Sequence, residues 1–180
     1  MFILSVLDVI RNRGSIRSYK DKPISRDELL SIMEAARLAQ SAANRQPWQF
    51  ILVTDPETKR RLVGAARNQR SVSEAAAVVV CLADPEISAR VGPFSGFLID
   101  LAIATENMVL TAWDLSIGSC WIGAFNEEEV KSILDVPEKL RVVSLLTLGY
   151  PAEKPRAKNR KPLEEIIHYD KYGQKELKTQ

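Results

Sequence analysis

Four short segments of this chain carry side chains suited to holding a ligand. Arg13-Gly14-Ser15-Ile16-Arg17 sets two guanidinium groups four residues apart with a hydroxyl between them, a donor set matched to a phosphate. Ala39–Trp48 is a run of small and amide residues ending in Gln46-Pro47-Trp48. Its amides offer both donors and acceptors, so they can read the edge of a heterocycle or simply cap loop backbone. Gly118–Phe125 sets Gly123 among apolar neighbours, where backbone can approach a ligand closely or a buried strand can turn. Lys158-Asn159-Arg160 belongs to a basic run that also holds Lys154, Arg156 and Lys161. That run and the arginines at 11, 13 and 17 stand near opposite ends of the chain, and a single anion would draw both together.

The inventory of reactive side chains is small. The 180 residues include one histidine, His168, and two cysteines, Cys81 and Cys120. A histidine-rich metal site cannot be assembled, and CxxC, HExxH and GxSxG are all absent. Cys120 sits in an apolar run far from the histidine in sequence, the setting of an inert core thiol. An enzyme with this inventory is expected to have no catalytic side chain and no metal, and to draw its chemistry from an organic cofactor. A net charge of +2 is too mild to demand nucleic acid. The longest uncharged stretch, Leu115–Asn126, is too short to span a membrane. Met1–Leu7 is apolar but lacks a basic leader and meets Asp8 at once, so a cytoplasmic location is expected.

The elements that must position these segments are legible in outline. Residues 2–12 place Ile3, Val6, Leu7 and Ile10 on one helical face. Ser25-x-x-Glu28 is a capping box that opens a helix to about Ala39. Trp48–Thr54 reads as a strand, and Asp55-Pro56 opens a helix to about Arg67. The apolar run Ala76–Ala83 reads as a central strand. Residues 96–115 form the longest helix, apolar on most of its circumference except a stripe through Asp100, Asn107 and Asp114. Such a helix calls for a second subunit as well as a sheet to cover it. Gly118–Ile122 and Val142–Leu148 are further strands, with a helix capped by Asn126 between them. The order predicts one α+β domain over residues 1–180, with helices flanking a mixed or antiparallel sheet of about four to five strands and a basic arm from 152 to 180.

Taken in order, these segments resemble the nitroreductase superfamily. The resemblance rests on Arg13-x-Ser15-x-Arg17 followed by Tyr19 and Pro23, on Asn44-x-Gln46-Pro47-Trp48, on Cys120-Trp121-Ile122-Gly123, and on Leu148-Gly149-Tyr150-Pro151 before the basic Lys158-x-Arg160. It implies an FMN-dependent NAD(P)H oxidoreductase with the flavin at the interface of an intertwined homodimer. Hydride would pass from NADH or NADPH to flavin N5, and then to a nitroaromatic, a quinone or a similar acceptor, by a ping-pong cycle. Other activities of the same fold are reductive dehalogenation and flavin fragmentation, and a non-catalytic flavin module is a further alternative.

Carried over residue by residue, the resemblance assigns the FMN phosphate and ribityl chain to Arg13, Ser15, Arg17, Lys158 and Arg160. It gives Gln40, Ser41 and Asn44 to the loop that reaches the partner's flavin. Asn68 falls near the pyrimidine end of the ring, and Ile122 and Gly123 beside the N5 edge. Two positions depart from the family pattern. Gln40 stands where proline is common, and Gly14 where a second basic residue is frequent.

Overall fold

A strand that is apolar at every position must be covered on both faces. In the computed structural model, which describes residues 5–156 and 159–177, strand β2 (Ala77–Ala83) is buried along its whole length. It lies inside a four-stranded sheet of order β1 (Trp48–Val53), β2, β6 (Arg141–Gly149), β5 (Gly118–Ile122), with every neighbouring pair antiparallel. Ala77, Val79, Cys81 and Ala83 pack with α2 (Arg26–Arg37) and α5 (Gly96–Asp114). Val78, Val80 and Leu82 pack with α3 (Pro56–Ala65), α4 (Ser71–Glu74) and α6 (Glu127–Leu134). The sheet is therefore the middle of three layers. A two-residue hairpin, β3 (Arg90–Val91) and β4 (Phe94–Ser95), and a last short helix α7 (Leu163–Ile166) complete the elements.

The helix starts follow the capping chemistry in the sequence. Ser25 and Glu28 satisfy each other's backbone amides, Asp55 accepts from the Thr58 amide at 2.7 Å, and Asn126 accepts from Glu128 and Glu129. One cap was not anticipated. Ser5 and Asp8 form a capping box that starts α1 at Val6–Asn12, later than residue 2. Ile3 lies outside the described residues.

Two helix faces differ from expectation. The apolar face of α1 is uncovered: Val6, Leu7 and Ile10 are exposed, Val6 at 71%, and the buried residue is Val9. On α5 the buried stripe runs through Phe97, Leu101, Ala104, Met108 and Ala112, while Leu98 and Ile99 are exposed. The expected polar stripe is not a solvated one. Asp100 is buried, and Asn107 Nδ2 donates to the Ala35 carbonyl of α2 at 3.1 Å; the exposed member is Asp114.

A strap after α1 brings the first candidate segment onto the sheet. Ser15 bridges Ser119 in a parallel sense, and the Ile16 amide donates to the Ser119 carbonyl at 2.9 Å. Tyr19 then bridges Pro151, and the Lys20 amide donates to the Tyr150 carbonyl at 2.8 Å. Glycines make this approach feasible. A Cβ on Gly118 would fall 2.7 Å from Ile16 Cγ1, and one on Gly149 would fall 2.6 Å from the Tyr19 ring. The Tyr19 hydroxyl donates to the Ile16 carbonyl at 2.6 Å and lies 2.6 Å from Thr147 Oγ1, which fixes the strap's turn from within. Gly149→Ala is expected to destabilise the fold by about 1–3 kcal/mol, since overpacking must displace the ring or the strand. Denaturant unfolding of the variant against the parent measures it.

Candidate functional site

The arginine loop begins where α1 ends. Arg13 leaves the helix with extended backbone, and its amide still donates to the Val9 carbonyl, so its guanidinium is held close to the last turn. Beyond it, Glu153 Oε1 accepts from the Arg17 amide at 2.6 Å and the Ser18 amide at 3.2 Å. That carboxylate ties the chain after β6 to the loop. Gly14 completes the contact, because a Cβ there would lie 2.6 Å from Pro155 Cβ.

The result is a cavity of about 230 Å³ lined by Arg13, Gly14, Ser15, Arg17, Arg156, Asn159 and Arg160. The two basic clusters, far apart in sequence, converge there. Arg13 Nε is buried without a hydrogen bond, 3.4 Å from Glu106 Oε1 of α5. Among the described residues, Arg17, Arg156 and Arg160 form no ion pair. Four guanidinium groups line the cavity, against Glu106 beside Arg13 and Glu153 on the Arg17 and Ser18 amides, so the cavity is net cationic and a phosphate-bearing ligand fits its donor set. Lys158 lies outside the described residues. The departure at Gly14 reads differently in three dimensions. A basic side chain at 14 would collide with Pro155, and the fourth guanidinium comes from Arg156 instead.

Strand β5 leads away from this cavity. Ser119 is level with the arginine loop, and Gly123 follows the last strand residue, Ile122, so the two ends are separated by roughly 13 Å at the usual rise per residue. Ile122 is buried, whereas Gly123 is exposed and a Cβ built on it would meet open space. Asn68 occupies the neighbouring turn with φ of 58°. That turn is joined to the segment after β5 by Gln69 Nε2 donating to the Ala124 carbonyl, and by the Asn126 amide donating to Ala65. Trp121, half exposed, lines a small adjoining cavity with Arg13, Ser15 and Glu106. The aromatics near α5 divide: Phe97 is core, Trp113 packs against the opposite cluster, and Phe94 is exposed.

The structure does not bring Gln40, Ser41 and Asn44 to the arginine cavity of their own chain. They follow α2, around a 3-10 turn at Ala42–Asn44, and the Ala42 amide donates to Asp100 Oδ1 at 2.9 Å. Asp100 precedes Glu106 by six residues, roughly 9 Å along α5 and about 120° around it. The loop and the arginine cavity thus sit on different faces of one helix. The loop is also strained, since Ala43, Asn44 and Gln46 all have φ near 50°. Each such residue costs about 1 kcal/mol or more. Ser41 Oγ accepts from the Gln46 amide at 2.9 Å, and Gln46 Nε2 donates to Asn44 Oδ1 at 3.1 Å, which closes the loop on itself.

Sequence reading missed four contributors. Arg156 and Asn159 were visible in the basic run but had no assigned partner. Glu153, which clamps the loop, and Glu106, which faces Arg13, carried no local signal. Among the described residues there is no group of three or more His, Cys, Asp or Glu side chains placed to hold a metal ion, and no helix is long and apolar enough to cross a membrane.

Comparison with known proteins gives a consistent result. The sequence matches the Nitroreductase family over residues 10–91 and 72–150. A protein of Archaeoglobus fulgidus, provisionally named NADH dehydrogenase/NAD(P)H nitroreductase, is 39% identical over 82% of this chain and 86% of its own. A crystal structure of a nitroreductase family protein from Clostridium novyi NT superposes with a TM-score of 0.79 at 36% identity, covering 95% of this chain and 96% of that one. The NADPH:FMN oxidoreductase of Vibrio harveyi, solved with NAD+, superposes with a TM-score of 0.83 at 27% identity over 93% of this chain and 77% of that one.

The two thiols are buried. Cys120 lies under the arginine loop, where burial pushes its thiol up while Arg17 and the Ser15 hydroxyl partly oppose the shift. Cys81, in the middle of β2, is pushed up to about 11 from 9.0 by burial, which outweighs the opposing hydrogen bond from Thr105. An unfolded thiol loses its proton near 9.0, before the folded one does, so between pH 9 and 11 the folded state binds more protons. Stability is therefore expected to fall as pH rises through that window. Neither thiol should react with an aromatic disulfide reagent at pH 8 in the native protein, and both should react in denaturant.

Proposed function

Because the chain belongs to the nitroreductase family, we propose that it is an FMN-dependent oxidoreductase that draws electrons from NADH or NADPH and delivers them to a small acceptor, such as a nitroaromatic or a quinone. The observation that carries this reading is the cationic cavity at the head of β5, with open backbone at Gly123 on the same strand's far end. When bound, FMN would supply the two-electron redox chemistry that links the nicotinamide donor to the acceptor, in the ping-pong order proposed here.

The chain's own work is binding and orientation. Arg13, Ser15, Arg17 and Arg160 hold the phosphate as charge-assisted donors, with Arg156 as a further guanidinium and Lys158 assigned by family pattern. Ile122 supplies a dry apolar wall, and the backbone at Gly123 is free to donate at the N5 edge of the ring. The Asn68 amide offers a donor and an acceptor to the pyrimidine edge. Gln40, Ser41 and Asn44 serve the flavin of a second copy in a homodimer. Two features support that division: the loop and the arginine cavity occupy different faces of α5, and the apolar face of α1 is uncovered. Val6 and Val9 also line a groove of about 420 Å³ with Ala35 of α2, Leu38 just past its end and Leu110 of α5, which a second subunit would fill.

The purified protein is expected to be yellow, to run as a dimer in size-exclusion chromatography with light scattering, and to bleach on anaerobic addition of NADH or NADPH. Colourless protein that takes up no added FMN would contradict the proposal. Arg17→Ala removes one charge-assisted phosphate contact, so FMN should bind about tenfold more weakly or worse. Fluorescence titration of FMN measures the change, and unchanged affinity would count against the phosphate assignment.

A further inference from the structure

We propose that Asp100 is a positioning residue that holds the Ser41–Gln46 loop in the conformation from which it meets the flavin ring; this rests on the flavin reading above. The residue is 1% exposed, and the other buried positions of its helix are apolar apart from Thr105. A buried carboxylate is costly unless its oxygens are satisfied. Asp100 is satisfied on one side only. Oδ1 accepts from the Ala42 amide at 2.9 Å, and Oδ2 has no hydrogen-bond partner among the described residues. A leucine or an alanine would serve the core better than a half-satisfied anion. What the side chain contributes is a hydrogen-bond acceptor aimed at one amide.

That amide is the entry to the strained turn. Ala42 is followed by Ala43 and Asn44, both left-handed, and Gln46 is left-handed again. Non-glycine residues adopt such backbone only where surrounding contacts over-determine it. The exit is fixed within the loop, by the Gln46 amide on Ser41 Oγ and by Gln46 Nε2 on Asn44. The entry is fixed from outside, by Asp100. The internal bonds have a further consequence. Ser41 Oγ and Asn44 Oδ1 are both used as acceptors, so the Ser41 hydroxyl proton and the Asn44 amide protons stay free to donate. A loop that presents donors suits the carbonyl-bearing edge of an isoalloxazine, and Asp100 sets where those donors stand.

Three variants test the assignment: Asp100→Ala removes the acceptor, Asp100→Asn keeps an oxygen for the Ala42 amide, and Ala42→Pro removes the donor. Proline is compatible with position 42, since Ser41 is already extended (φ −140°, ψ 156°) and Ala42 is helical. Two readouts are used: the rate of tryptic cleavage after Arg45 in protein freed of cofactor, and the visible absorption band of bound FMN. Asp100→Ala and Ala42→Pro should each speed cleavage by about tenfold and move the band toward that of free flavin, while Asp100→Asn stays within about threefold of the parent rate and keeps its band. Parent-like behaviour of Asp100→Ala overturns the proposal. So does Asp100→Asn matching Asp100→Ala, which would give the role to charge or packing instead of the hydrogen bond. If Asp100→Ala does not fold, Ala42→Pro decides alone, in the same directions. A parent protein that takes up no FMN overturns the flavin reading and the ring contacts with it. The tie between Asp100 and the loop is then judged by proteolysis.

Discussion

The seating of Ile16 and Tyr19 on two glycines is the constraint from which the arginine cavity follows. Gly118 and Gly149 have no side chain to hold the strap away, so its backbone pairs with Ser119 and Pro151 instead of crossing the sheet edge loosely. Once Ile16 is buried, Ser15 and Arg17 on either side of it are exposed and face the cavity, as neighbours in an extended segment must. The Arg17 and Ser18 amides then have a fixed position, which Glu153 recognises. Glu153 directs the chain after β6, Pro155 seats against Gly14, and Arg156 and Arg160 arrive opposite Arg13. A cationic cluster of this kind repels itself in the isolated chain. Apolar burial of Ile16 and Tyr19 is what keeps it assembled, and an anionic ligand relieves the repulsion.

Helix α5 is the second organiser, and it works through polar residues on two faces. Phe97, Leu101, Ala104, Met108 and Ala112 fix its height and rotation against the sheet. With rotation fixed, Glu106 is presented to Arg13, and Asp100 to the loop after α2. One rigid helix therefore ties the arginine cavity to the Ser41–Gln46 loop, which we propose serve two different flavin sites. Any motion of α5 would be felt at both places, and close packing of its core stripe opposes such motion.

Much of the fold was legible because its signals are local. The caps at Ser25, Asp55 and Asn126 each need only three or four residues, and β2 declares itself by continuous apolar composition. The ends of the arginine cavity were also visible as two basic clusters, though only the fold shows that they meet. What was not legible depends on what covers a surface. Periodicity placed Val6, Leu7 and Ile10 on one face of α1 but could not say that the chain leaves that face bare. The burial of Asp100 is not legible for the same reason. On a helical wheel it aligns with Asn107 and Asp114, and polarity alone does not tell a buried member of that stripe from an exposed one. The donor that draws Asp100 inward, the Ala42 amide, is 58 residues away in sequence. The contact between Gly14 and Pro155, and the arrival of Arg156 beside it from the far end of the chain, are likewise not local signals.

The two ends of the candidate site are built on different mechanical terms. The arginine cavity stands on a strand edge, a glycine-seated strap and a helix terminus, tied by backbone hydrogen bonds and by the Glu153 carboxylate. The Ser41–Gln46 loop stands on left-handed residues held by side-chain contacts. A cofactor anchored by charge at a stiff end can be strongly bound without its reactive ring being finely placed. Fine placement then falls to the loop, where a change in one contact shifts a donor by tenths of an ångström. Orientation at that scale governs transfer rates far more than affinity does. In a chain with one histidine and two buried thiols, the sequence can tune reactivity chiefly by adjusting such contacts around the ring, and little of that tuning need disturb the anchor.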